Sequence, residues 1–360
     1  MSQLLEGYRI KVGRMGPGPK NSITDVAGVR VGHASVIEGN RVRTGVTAII
    51  PHSGNVFYEK VQAAAVTING FGKAIGFPQI NEFGTIETPI LLTNTLNVGK
   101  VSDALIAWVL PHYQRPDCSI TSLNPIVAEC NDSYLNDIQG RHVEKEHVFY
   151  ALDTASADPV AEGVVGAGTG VSAFEFKSGI GSASRIVRLD GENYTVGVLS
   201  LPNFGRREEL VIKGVPIGRE LRDYEREPHD GEEGSIVIVI ATDLPLSHRQ
   251  LVRIAKRASF GIARTGGICH NGSGEFVISF TTANKVPHDP KRIFLEEKRL
   301  NDAHSVINAV FQATIESVEE SILSALFSAE TIVGIDGHRR GALPIPEVLS
   351  FLKASGHSYS

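Results

Sequence analysis

Gly234-Ser-Ile-Val-Ile-Val-Ile-Ala241 is the stretch that decides how this chain is built. Six consecutive residues after Ser235 are apolar, and five of them, Ile236 to Ile240, are β-branched isoleucine or valine. A strand with one wet face alternates apolar and polar side chains, whereas a strand covered on both faces reads as a continuous apolar run. The run is therefore predicted to be a central strand between two layers.

Immediately upstream the character reverses. Arg219 to Gly234 holds seven acids and three arginines, a net charge of −4, together with Pro228, Gly231 and Gly234. It is expected to be an exposed, mobile linker that ends where the most hydrophobic strand begins. Downstream, Ser247-His-Arg-Gln250 has capping-box spacing, and Leu251, Ile254, Ala255 and Ala258 make an apolar stripe. The opposite face, Arg249, Arg253, Lys256 and Arg257, is expected to be solvated. Glu275 to Phe280 reads as another strand, and a long amphipathic helix is predicted from about residue 303 to 327. In the first half, residues 29–36, 46–50, 63–68, 89–92 and 194–201 read as strands and 101–109 as a helix.

Composition narrows the function. Of 360 residues, 42% are hydrophobic and 21% charged, enough apolar material for a sizeable core. A formal net charge of −5 offers no basis for binding nucleic acid or an acidic membrane. The first twenty residues lack the basic-then-apolar pattern of an export signal, and no stretch is apolar enough to span a bilayer, so a cytoplasmic location is expected. Cys118, Cys130 and Cys269 have no CxxC spacing and are expected to be reduced thiols. The histidines show no metal-ligand spacing, and Gly163-Val-Val-Gly-Ala-Gly-Thr-Gly170 does not fit GxGxxG. No cofactor and no metal are expected.

The junction of Gly234 and Ser235 carries possible chemistry. A hydroxyl can attack the carbonyl of the residue before it, and glycine there leaves that carbonyl uncrowded and allows strained backbone angles. An N-to-O acyl shift followed by hydrolysis frees an amino-terminal serine, whose α-amine, with an ordinary pKa of roughly 7.7–8.0, suits general-base work. A Gly-Ser pair before a strand is, however, usually a turn. In Asn271-Gly-Ser-Gly-Glu275, Ser273 and Glu275 are two apart and share a face in extended chain; the alternative is a glycine turn with Glu275 in solvent. Asn203, in Pro202-Asn-Phe-Gly205, either donates to an oxyanion or caps a turn. Glu129-Cys-Asn-Asp-Ser-Tyr-Leu-Asn136 is either a binding loop or a polar loop.

Several segments together resemble the family of L-aminopeptidase/D-amidase/esterases and β-peptidyl aminopeptidases: Thr24 to His33, Glu87 to Thr95, Gly163 to Gly170 with Gly179 to Arg185, Gly234 to Asp243, Arg264-Thr-Gly266, Asn271 to Glu275, and Asp336-Gly-His338. The resemblance implies a four-layer αββα sandwich of the amino-terminal-nucleophile hydrolase type, a single domain over 1–360 that processes itself into an α chain, 1–234, and a β chain, 235–360. It implies a serine aminopeptidase acting on short peptides, amino-acid amides or esters. By position it makes Ser235 the nucleophile and Ser273 and Glu275 its partners. It further makes Asn203 and Tyr134 oxyanion residues and Glu129 the group that grips the substrate ammonium. It also implies a homo-oligomer, a tetramer of processed heterodimers. Two residues depart from the pattern: Cys130, in the loop that carries Tyr134, and Phe204, beside Asn203, where small or polar residues are expected. An amide hydrolase for non-peptide oligoamides and an inactive processed binding protein are the alternatives.

Overall fold

The computed structural model describes residues 5, 7–8, 10–116, 119–225, 234–303 and 305–356. In chain order the strands are β1 (Arg30–Glu38), β2 (Val42–Ile50), β3 (Glu59–Gly70), β4 (Ala74–Ile75), β5 (Thr85–Ile86), β6 (Ile90–Asn94), β7 (Ile126–Cys130), β8 (Ser172–Ala173), β9 (Phe176–Lys177), β10 (Gly181–Leu189), β11 (Glu192–Asn203), β12 (Gly234–Thr242), β13 (Ser273–Pro287), β14 (Ile332–Val333) and β15 (Arg339–Arg340). The helices are α1 (Phe77–Phe83), α2 (Val98–Tyr113), α3 (Lys145–Asp153), α4 (Ile217–Glu220), α5 (His248–Ala255), α6 (Ala258–Arg264), α7 (Asn308–Phe327) and α8 (Ile345–Ala354).

Two sheets dominate, one ordered β1-β2-β6-β7-β4 and the other β10-β11-β12-β13-β3-β5. Each contains one parallel pair, β6–β7 and β12–β13. A parallel pair needs a crossover, which a helix supplies. Here α2 links β6 to β7, and α5 with α6 links β12 to β13.

The apolar run of β12 is buried on both sides, as its composition predicts, and alternation divides it between two cores. Val237, Val239 and Ala241 join a cluster with Leu199, Leu201, Ile126, Ala128 and the α2 residues Val101 and Leu105. Ile236, Ile238 and Ile240 join a second cluster with Leu251 and Ile254 of α5 and Val318, Ile322 and Leu326 of α7. The layers are thus helices, first sheet, second sheet, helices: the αββα sandwich. Each such Val or Ile side chain taken wholly out of water contributes about 1.5–3 kcal/mol, so β12 is heavily anchored.

Helix α7 crosses β10 and β11 and is enclosed nearly all round. Its acids survive burial through partners. The Arg185 guanidinium bonds Glu316 at 3.2 Å and also Glu320, and Arg264 bonds Glu319 at 3.1 Å.

Three expectations need correction. Part of the acidic segment is structured, since α4 covers Ile217–Glu220 and Leu221 is buried in the second core; residues 226–233 lie outside the described residues. The arginine face of α5 is only partly solvated, because Arg249 and Arg253 share Asp302 and Arg257 lies 3.9 Å from the centroid of Phe311. A guanidinium with a flat carbon face can cover an aromatic ring as readily as face water. The long helix starts at Asn308 rather than near 303.

Candidate active site

The carboxyl end of β11, the start of β12 and the start of β13 meet at one place. Across the antiparallel pair Asn203 is opposite Ser235, and across the parallel pair Ser273 is opposite Gly234 and Glu275 opposite Ile236. Partners opposite each other project to the same face. The Ser235 side chain therefore lies on the face shared with Asn203, between the sheets, while Ser273 and Glu275 lie on the face of Gly234.

On the hydroxyl side, Asn203 Nδ2 is 3.4 Å from Ser235 Oγ. The same nitrogen donates to the Asn131 carbonyl at 2.8 Å, and Asn203 Oδ1 accepts the Ser172 N–H at 3.0 Å. Both ends of the amide are occupied, so its orientation is set. Cys130 stands in hydrogen-bond reach of Ser235 and donates its thiol to the Leu201 carbonyl at 3.2 Å. Burial pushes the Cys130 thiol far above its ordinary range, which keeps it un-ionised. Cys130, expected in the loop that carries Tyr134, is the last residue of β7, and the sheet-to-sheet contact puts it beside the serine. Cys130 and Cys269 are free thiols, and Cys118 lies outside the described residues.

On the peptide-bond side, Ser273 Oγ donates to Glu275 Oε1. Burial raises the Glu275 carboxyl above its ordinary range, opposed by that hydrogen bond. Glu275 Oε2 is buried with no hydrogen-bond partner among the described residues. The alternative of Glu275 in solvent is thereby excluded. The turn carrying Ser273 is pinned by Asn69, whose amide donates to the carbonyls of His270 at 3.1 Å and Asn271 at 3.2 Å and also to that of Ser273. Asn69 and Ser172 were not read from the sequence; both act on residues far away in the chain, and neither sits in a motif.

Gly234 is also explained differently from the expectation of strained backbone. It lies in an extended strand and is absent from the glycines with positive φ. A Cβ at this position would lie 3.1 Å from Ser273 Oγ and 3.3 Å from Phe204 Cα. Glycine serves here to let Ser273 and Phe204 close on the bond. Phe204 is buried, with its ring edge-on to Phe174 at 5.1 Å.

The remaining candidates flank this centre. Tyr134, Asn131, Ser172, Asn203 and Arg340 line a small recess. The Tyr134 ring stacks on His338 at 4.7 Å, with Arg340 Cζ 3.4 Å from its centroid. Glu129 is buried next to Cys130; its Oε1 accepts the Lys73 N–H at 3.0 Å and its Oε2 the Thr95 hydroxyl. Burial raises its carboxyl as well. The glycine-rich 163–170 segment is used for close backbone approach, since a Cβ at Gly179 would meet the Gly163 carbonyl oxygen at 1.8 Å. Among the described residues, no group of three or more His, Cys, Asp or Glu side chains could hold a metal ion. No helix among them is long and apolar enough to cross a membrane.

Comparison with known proteins agrees with this geometry. Residues 21–340 match peptidase family S58. The chain is 40% identical over 359 residues to the β-peptidyl aminopeptidase BapA of Sphingosinicella microcystinivorans, covering 94% of this chain and 89% of that protein. It superposes on the PH0078 protein of Pyrococcus horikoshii OT3 with a TM-score of 0.92 at 51% identity, covering 98% of this chain and 99% of that one. The L-aminopeptidase D-Ala-esterase/amidase of Ochrobactrum anthropi, a variant of the Ntn-hydrolase fold, superposes with a TM-score of 0.90 at 36% identity over 98% of each chain. With the two-sheet sandwich and the strand ends that gather Asn203, Ser235, Ser273 and Glu275, these matches make the chain a member of peptidase family S58, an aminopeptidase of the Ntn-hydrolase fold.

Proposed function

We propose that the protein cleaves its own chain between Gly234 and Ser235, and that the new amino-terminal Ser235 then releases amino-terminal residues from short peptides, amino-acid amides or esters. The observation that carries this reading is the buried, unpartnered Glu275 Oε2 on the Gly234 side of the bond. Cleavage creates an ammonium at that end of β12, and a partly desolvated carboxylate with an open lone pair is the group that would receive it.

In turnover, the Ser235 amine takes the hydroxyl proton as Oγ attacks the substrate carbonyl carbon. The Asn203 amide donates to the oxyanion, with Tyr134 as second donor from the adjoining recess. Collapse expels the leaving amine or alcohol, which takes the proton from the Ser235 amine, and leaves an acyl ester on Oγ. Water, deprotonated by the same amine, then hydrolyses the ester. Ser273 and Glu275 hold and tune that amine. Glu129, buried beside Cys130 at the end of β7, is the proposed grip for the substrate ammonium. The relatives named for β-peptides extend the proposed substrates to amino-terminal β-amino acids.

Intact-mass measurement of the purified protein beside Ser235→Ala tests the first step. We expect fragments of 234 and 126 residues (360 less 234), the smaller beginning at Ser235, and an uncut variant. A wild-type chain that stays whole while hydrolysing substrate would remove the amine from the mechanism. Turnover of β-alanyl against L-alanyl p-nitroanilide separates the two substrate classes. The exposed Ile293 and Phe294 support assembly of several copies, which sedimentation velocity measures.

A further inference from the structure

We propose that Lys177 is a positioning residue for the reaction: its buried ammonium holds the Ser172–Lys177 hairpin in the shape that fixes the Asn203 amide opposite Ser235. The inference rests on the reading of Asn203 as an oxyanion donor.

The hairpin is two short strands joined by Phe174 and Glu175, with Ser172 paired to Lys177 and Ala173 to Phe176. Both turn residues have positive φ, 51° and 60°. A two-residue turn with both central residues left-handed favours Asn-Gly, and bulky side chains there are strained by about 1–3 kcal/mol each. Such a turn persists only where its surroundings over-determine it. Here Phe174 N–H donates to the Phe204 carbonyl at 2.7 Å, and Lys177 N–H donates to the Gly341 carbonyl at 2.8 Å. From inside, the Lys177 side chain closes the structure.

Lys177 is completely buried. Its Nζ donates to the carbonyls of Gly168 at 3.0 Å, Val171 at 2.8 Å and Ser178. An ammonium has three donors, and three main-chain acceptors from both sides of the hairpin take them all. Asp132 and Glu330 supply the opposing charge, although burial still lowers the ammonium's pKa to about 7. Asp132 is itself buried, bonded to Asn136, and follows Asn131, the other partner of Asn203. A Cβ on Gly170 would sit 2.8 Å from Asp132 Cβ, so the two loops are in direct contact.

The result is a clamp. Asn203 Oδ1 is held by Ser172 N–H from the hairpin, and Nδ2 by the Asn131 carbonyl from the Asp132 loop. Only the remaining Nδ2 hydrogen is available toward Ser235. With Ser172 displaced, the amide can rotate, and a donor moved by an ångström loses most of its effect on a developing charge.

The test is a double-mutant cycle with Lys177→Met and Asn203→Ala, assayed on an aminoacyl p-nitroanilide, with folding checked by circular dichroism and thermal melting. Methionine keeps the length of the stem and removes the donors. We expect K177M to lower kcat about 10- to 100-fold with KM changed less than about threefold, and K177M/N203A to be no slower than N203A alone. Wild-type kcat in K177M, a loss confined to KM, or a double variant whose losses multiply would overturn the proposal. A loss in K177M beside an unimpaired N203A would instead show that Asn203 is not the donor, and the proposal would fall with that reading. Should K177M not fold, Ser172→Pro deletes the N–H that holds Asn203 and leaves the ammonium in place. The same fall in kcat is expected, and an unchanged kcat overturns the proposal.

Discussion

Asn203 and Ser235 face each other across the antiparallel β11–β12 pair, with the amide nitrogen 3.4 Å from the hydroxyl. They are 32 positions apart in the chain, and the register of two buried strands holds them together. A one-residue slip of β12 would carry the Ser235 side chain to the opposite face, away from Asn203.

Asn203→Ala tests that pairing directly. Loss of one oxyanion donor is expected to lower kcat about 10²–10³-fold, or about 2.7–4 kcal/mol, with little change in KM. Steady-state kinetics on the processed variant checks it; an equal rise in KM with unchanged kcat would identify Asn203 as a ground-state binding group instead.

Glu275→Gln probes the other face of the site. Burial raises the Glu275 carboxyl, so below the limb set by the Ser235 amine the wild-type rate profile should show a second acid limb, as Glu275 is protonated above the ordinary carboxylate range. The glutamine variant should process slowly, lose about 10²-fold or more in rate, and show no such limb. A pH profile of kcat/KM from pH 4 to 9 reads both effects.

Glu162 is expected to make the fold pH-sensitive. Burial raises its carboxyl to about 7, against hydrogen bonds from Ser182 N–H at 2.8 Å and the Ser324 hydroxyl at 2.6 Å. A raised folded pKa means that the contribution is fully present below the unfolded value and is lost as pH rises through 7. Glu162→Gln, which keeps the acceptor oxygen, should therefore match the wild type near pH 4.5. It should exceed it by about 1–3 kcal/mol at pH 8. Thermal melts across that range check the sign.

Arg185→Leu should destabilise the protein by about 3–5 kcal/mol, because it leaves Glu316 and Glu320 buried without their shared cation. Chemical denaturation measures this. Replacement of all three residues by apolar side chains should recover much of the loss, since the desolvation cost leaves with the charges.

Much of this protein was legible in its residues. The β12 run announced a strand covered on both faces, the capping box at Ser247 and Gln250 forms as spaced, and Ser273 and Glu275 bond each other because residues two apart in a strand share a face. Local periodicity and short-range geometry are properties of the chain itself. What only tertiary structure decided is which distant groups meet. Asn69 pins the Ser273 turn, Cys130 comes from the other sheet to stand against Ser235, and Lys177 reaches three carbonyls through a strained turn that no local preference predicts. Those contacts depend on strand order and on the spacing between two packed sheets, and such relationships have no period in sequence.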